Sequence, residues 1–370
     1  MAKRLLSLNG LAIAGVILNH SVAWVFIAIF WWAHRYRPVT SPNFDQIGSL
    51  SYFILRFIEQ LVSYSVPAFL FVSGFFIAFA AGRSKTSEIW KIAISRVKKL
   101  LIPFVVWSII IFLGEAVQGQ TYSLPEYLGR LVLGKATEAY YFIPLLCQYY
   151  LLSPLFLPWA KTNWKLLLIV SALVQFGAQS LQYLEVLNIN MSLVNGSSVT
   201  IPSWFFPGKV FWFVFGIVIS LHLPKISGWI VRNRWPLFIT AVILLLAGIV
   251  EWELLIGNSG RNWIAYFDTA LDNFYAACFI LTFLAFYKAP VIFEDKLANL
   301  GTKSYGIYLV HSPVLQYLSK IVYHIAPWIM AFPILLFLPL LVVFGFGVPL
   351  MLMAAVKRSP AHKLYPYLFG

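Results

Sequence analysis

Charge is what this chain has least of. Only 11% of its 370 residues are charged, 61% are hydrophobic, and acidic residues number just 13. A water-soluble fold could not hide that much apolar surface, so most of the chain must be solvated by lipid. Cysteine is equally scarce. Cys147 and Cys278 both lie in apolar stretches without CxxC or metal-ligand spacing, which argues against a disulfide framework or a metal site and reads them as small core residues. Several catalytic signatures are missing as well: there is no GxSxG, no HExxH and no closely spaced acidic pair. The run Gly301-Thr-Lys-Ser304 lacks the upstream glycine that a phosphate loop requires.

What is present is a series of long apolar runs. Ten spans are predicted, at 8–33, 51–81, 99–118, 139–159, 165–184, 208–221, 236–256, 270–289, 304–327 and 330–355. The sixth is short and is expected to begin near Ile201, interrupted by Pro202 and Pro207. A helix crossing the hydrocarbon takes about 20 residues, so ten spans use nearly the whole length. The expectation is an all-α polytopic membrane protein with one transmembrane domain over 1–370 and no appended soluble domain. The first run follows Lys3 and Arg4, but it is too long for a signal peptide, carries His20 at its centre and ends without a cleavage pattern, so it reads as a retained helix.

The basic residues set the orientation. With the N-terminus inside, 19 of the 27 Lys and Arg residues fall in cytoplasmic segments, led by the stretch from Arg83 to Lys99, and both termini are expected in the cytoplasm. Arg35, Arg37, Arg56, Arg130, Lys135, Lys209, Arg261 and Lys320 fall outside or near outer helix ends. The formal charge of +14 is thereby explained by topology, with no nucleic-acid partner. Two glycosylation-like triplets begin at Asn190 and Asn195 and carry no functional weight.

Polar residues at membrane depth are informative because each costs free energy to place there. His20 falls roughly 18 Å from the inner end of the first span and His311 roughly 12 Å into the ninth. Two imidazoles at similar depth are compatible with one buried site, and histidine is the side chain best suited to proton transfer near neutral pH. The plain alternative is two neutral core groups hydrogen-bonded to neighbouring helices. Asn9 lies eleven positions before His20, about 20° away on the helical wheel, so the two share a face. Arg4 points the other way. Arg96, Lys98 and Lys99 read either as a positive-inside flank or as a site for the phosphates of a cytosolic donor, with Arg96 and Lys99 on one helix face. Ser73-Gly74 reads as a close-packing point. His34, His222, His324 and His362 fall in loops or at helix ends.

Taken together, five stretches resemble the membrane-bound acyltransferase 3 family. They are Leu8 to His20, Pro67 to Gly74 including Ser73, Arg96 to Pro103, Tyr141 to Pro154 around Gln148, and Lys303 to His311 with its SYxxYLxH pattern containing Tyr305. The sequence departs from the family where Asn9 replaces an arginine, Lys99 replaces the second arginine of RxxR, and Gln148 stands where many members carry glutamate. Asparagine can hydrogen-bond but cannot neutralise a phosphate.

The resemblance implies transfer of an acyl group, acetyl or succinyl, from acyl-CoA to a hydroxyl of a sugar, exopolysaccharide or cell-envelope glycan. Acyl-CoA is then a donor substrate, with no tightly bound cofactor and no metal. The implied site comprises His20, Asn9, His311, Tyr305 and Gln148, with Arg96, Lys98, Lys99 and Ser73 on the donor. The implied setting is a bacterial inner or plasma membrane. The expected partners are the lipid bilayer, the donor, the acceptor and, in some settings, a polysaccharide synthase complex. Trp204 and Trp263 are possible sugar-stacking surfaces, although tryptophan concentrates at membrane interfaces in any case. The rival from the residues alone is a transporter or flippase with a histidine proton relay, although no internal repeat is visible; a third reading is a non-catalytic relative.

Overall fold

A computed structural model describes residues 2–31, 44–82, 84–189, 201–289 and 292–370. The two glycosylation-like triplets at Asn190 and Asn195, together with His34, Arg35, Arg37 and Arg83, lie at least partly outside the described residues. Among those described the chain is all helix and turn, without a strand.

The helices are α1 (Ala2–Phe30), α2 (Leu50–Leu61), α3 (Ser65–Ala81), α4 (Thr86–Val117), α5 (Leu124–Val132), α6 (Phe142–Thr162), α7 (Trp164–Val186), α8 (Val210–Arg232), α9 (Arg234–Ser259), α10 (Ala270–Ala285), α11 (Glu294–Thr302), α12 (Ser304–Ile325), α13 (Leu338–Arg358) and α14 (Tyr365–Phe369). Among the described residues, eight helical stretches are long and apolar enough to cross a membrane. The other two predicted spans are α10, only 16 residues long, and α12, which has the length but is diluted by Ser, Lys and His. The protein is an all-α polytopic membrane protein.

Inner and outer helices are distinguished by what they bury. The α1, α2–α3, α6 and α8 stretches bury half or more of their apolar windows, while α4, α7, α9 and α13 bury under a third. The outer set displays side chains such as Leu113, Leu173, Ile243 and Val343, which is the surface a lipid solvent requires. Glycine permits the closest inner contacts. A Cβ on Gly74 would lie 2.0 Å from the Phe213 carbonyl oxygen, and one on Gly216 would lie 2.0 Å from that of Phe71, so α3 and α8 touch backbone to backbone.

Three boundaries differ from expectation for physical reasons. The predicted span 51–81 is two helices, broken at Val62–Tyr64. Pro67 offers no N–H to the Ser63 carbonyl four residues back, and at the break Ser65 Oγ donates to the Val62 carbonyl (2.6 Å). The basic stretch before residue 99 is not a loop, because α4 starts at Thr86 and carries Arg96, Lys98 and Lys99 on its first turns. The sixth span does not begin at Ile201: a short 3-10 turn (Phe206–Lys209) leads into α8, which continues to Arg232 through a kink at His222, two residues before Pro224. The short helices α5, α11 and α14 were not expected.

Candidate active site

Helices α1 and α12 ascend from the same, basic end of the bundle. Gly10 on α1 lies against Gly301 at the end of α11: a Cβ on Gly10 would sit 2.0 Å from the Leu297 carbonyl oxygen, and one on Gly301 would sit 2.0 Å from that of Leu6. His20 and His311 each lie ten residues further along. This shared register brings the imidazoles to one level, with ring centroids 5.3 Å apart and planes inclined at 48°. His311 is fully buried. Its Nδ1 lies 2.7 Å from the Tyr308 carbonyl oxygen, and because a carbonyl only accepts, Nδ1 carries the proton. Nε2 is then a lone pair, and it has no partner among the described residues.

His20 lines a cavity of about 320 Å³. Its inner walls come from the α2–α3 break, with Glu59, Ser63 and Ser65, and from Asn19 and Tyr308. The outer walls come from within segments 138–142, 178–182, 201–203, 208–209 and 266–268, and exposed Pro202, Ser203, Glu138 and Tyr266 form a rim. The cavity therefore reaches from His20 toward the end opposite the basic cluster. Lys209 is ion-paired with Asp268 across two of the wall segments. Glu59 is ion-paired with Arg56, itself almost wholly buried.

The remaining predicted residues lie outside this cavity. Asn9 does share the α1 face that looks toward α12, but its amide donates to the Gly301 carbonyl (2.9 Å) and to Ser304 Oγ (2.8 Å), which ties α1 to the α11–α12 joint. Arg4 points elsewhere, as its wheel position implied, and its guanidinium donates to the Phe283, Phe286 and Ala289 carbonyls in and just beyond the last turn of α10. Tyr305 donates from its hydroxyl to the Leu100 carbonyl, next to the Pro103 interruption of α4.

Gln148 works as a clamp. Its Nε2 donates to the Trp204 carbonyl (2.7 Å) and its Oε1 accepts from the Phe206 N–H (3.2 Å), while the Tyr149 hydroxyl donates to the Phe206 carbonyl (2.6 Å). These bonds fix the segment that supplies Ser203 and Lys209 to the cavity. Ser73 sits beside the Gly74 contact between α3 and α8, half-buried and away from the cavity.

Lys98 and Lys99 are exposed and line a groove with Lys91, Ser95, Pro366 and Tyr367. Arg96 is turned toward α6, its guanidinium 5.8 Å from the Tyr150 ring centroid. The predicted basic trio is thus divided between two directions, and the groove shares no lining residue with the His20 cavity. Trp204 and Trp263 do not line the cavity either; Trp263 packs on Phe26, Phe30 and Arg56.

Sequence reading missed Glu59, Lys209 and Asp268. Glu59 could have been found, because a carboxylate in the middle of the apolar run 51–81 carries the same cost as the histidines did. Lys209 was counted only as an outer-end charge.

The described residues form a membrane-embedded helical bundle in which two imidazoles meet and one of them, His20, lines a cavity. The family model for the acyltransferase domain of the acyltransferase 3 family matches residues 7–353, and the chain belongs to that family. It is a membrane acyltransferase acting on oxygen. No curated protein and no solved structure matches the chain.

Proposed function

We propose that this protein moves an acetyl or succinyl group from cytosolic acyl-CoA to a hydroxyl of a sugar in an exopolysaccharide or cell-envelope glycan, at His20. The observation that carries this reading is the juxtaposition of His20 with His311 at the inner end of a cavity lined by both apolar and polar side chains. With its Nδ1 proton fixed on a carbonyl, His311 presents Nε2 only as an acceptor, its ring centroid 5.3 Å from that of His20, and so favours the His20 tautomer whose N–H lies on that side. The other His20 nitrogen then faces the cavity as a base. It takes the proton of the acceptor hydroxyl as that oxygen attacks the thioester carbonyl; the C–S bond then breaks, and the same proton passes from His20 to the departing thiolate, which leaves as the thiol.

By the positive-inside rule the basic end is cytoplasmic, and the setting that goes with this reading is a bacterial inner or plasma membrane. The donor phosphates dock on Lys98 and Lys99, with Arg96 guiding the chain toward α6. The acceptor enters from the opposite end. Asn9, Tyr305 and Gln148 position the helices and wall segments around the histidines, and Ser73 lies at the α3–α8 crossing. Family membership supports this reading over a transporter.

The test incubates purified protein in lipid vesicles with radiolabelled acetyl- or succinyl-CoA and a glycan extract. Thiol release together with label in the glycan, both lost in His20→Ala, is the expected result. Full activity in His20→Ala removes the assignment of the base, and absence of thiol release from folded protein with every donor tried removes acyl transfer.

A further inference from the structure

The cavity wall reverses the charge of the chain around it. In a protein of formal charge +14, the charged groups lining this cavity are three carboxylates, Glu59, Glu138 and Asp268, against one ammonium, Lys209. Lys209 is already matched by Asp268, and Glu138 stands exposed on the rim.

Glu59 is different. It is 93% buried yet faces the cavity that His20 lines. Its Oε2 is bound by Arg56 Nη1, which leaves Oε1 without a protein partner among the described residues. The arginine is held from behind, in a box of rings: its guanidinium carbon lies 4.4 Å from the Trp263 centroid, 4.7 Å from Trp252, 5.1 Å from Phe26 and 5.5 Å from Tyr52. Packing this elaborate fixes the carboxylate in one place and one orientation.

An ionised carboxylate only accepts hydrogen bonds, and Arg56 occupies one Glu59 oxygen, which leaves the other free to accept from a group in the cavity. Ligand hydroxyls are the donors that fit, and such charge-assisted bonds are the stronger kind. A carboxylate or phosphate on the ligand would instead meet like charge in a site of low dielectric.

Resting on the reading of acyl transfer at His20, we propose that Glu59 binds the acceptor by accepting hydrogen bonds from hydroxyls of an uncharged sugar ring, and that the carboxylate-rich wall turns away uronic-acid and phosphate-bearing acceptors. Glu59 then sets acceptor specificity, while His20 performs the proton transfer.

The test uses the full-length protein in detergent and reads equilibrium binding of a panel of neutral methyl hexosides and the matching uronic acids by competition dialysis, with thiol release measured in parallel. Two variants are compared with wild type: Glu59→Gln, and the double variant Arg56→Gln with Glu59→Gln, which leaves no lone buried charge. The expected result is binding of a neutral hexoside about tenfold or more tighter than its uronic acid, an affinity for the neutral sugar about tenfold weaker in both variants, and a narrowed neutral-to-acid ratio. Recovery of wild-type affinity in the double variant would assign Glu59 only to neutralising Arg56 and overturn the proposal, as would preference of the wild type for uronic acids. Because binding needs no chemistry, a wild type that binds neutral sugars but releases no thiol sinks acyl transfer and leaves the Glu59 assignment standing.

Discussion

Helix α1 meets the α11–α12 arm at two levels, and the two contacts are built from different materials. At the lower level Gly10 and Gly301 bring backbones together, and Asn9 closes the joint with two hydrogen bonds to protein. Ten residues higher, His20 and His311 face each other with an unpartnered nitrogen beside an open cavity. Polar groups satisfied by their own chain make a joint. Polar groups left for something else to satisfy make a site. The comparison also gives the lower level a purpose, because the glycine register fixes the height at which the histidines meet.

Breaking the upper level should have the largest effect. His20→Ala is expected to lower acyl transfer by about 10² to 10⁴-fold while thermal unfolding of the purified protein stays within a few degrees of wild type. A matching fall in stability would mean that His20 belongs to the joint class. At the lower level the order reverses. Gly301→Val places a side chain where the Leu6 carbonyl oxygen lies, and overpacking of this kind costs about 1–3 kcal/mol or more, read as a lowered unfolding midpoint and poor recovery of folded protein.

Asn9→Ala sharpens the contrast further. It removes the donor to Gly301 and Ser304, for an expected loss of about 1–2 kcal/mol in stability, with acceptor affinity unchanged. The smallest effect is expected at the exposed groove: Lys98→Ala with Lys99→Ala should raise the donor KM a few-fold at low salt, with the difference shrinking as ionic strength rises. A donor KM insensitive to both lysines would move the phosphate site toward Arg96.

Much of the fold was legible because apolar run length is a direct physical requirement of a bilayer, and each of the ten predicted spans falls on helix. The imidazole pair was legible for a related reason: histidine at membrane depth stands out against a background with so little charge. Breaks and joints were harder to read. The α2–α3 interruption is hidden because Pro67 is tolerated in membrane helices, so hydropathy runs through it unbroken. The helices α5, α11 and α14, of nine, nine and five residues, are too short for a span-length signal.

Roles fared differently from positions. Gln148 and Asn9 were picked out by pattern, yet what each does depends on a carbonyl 56 or 292 residues away, which no local window contains. Glu59 was passed over although it lies inside an apolar run, and its setting, beside Arg56 and the aromatic box around that arginine, comes from residues far apart in the chain.

The central claim is that one site joins a donor from the basic end to an acceptor from the opposite end. Proteoliposomes of uniform orientation, with labelled acyl-CoA supplied only on the side of Lys98 and Lys99 and the glycan acceptor only on the other, test it directly. Label on the acceptor across an intact bilayer, abolished by His20→Ala, is the predicted result; labelling only when donor and acceptor share one side would contradict it.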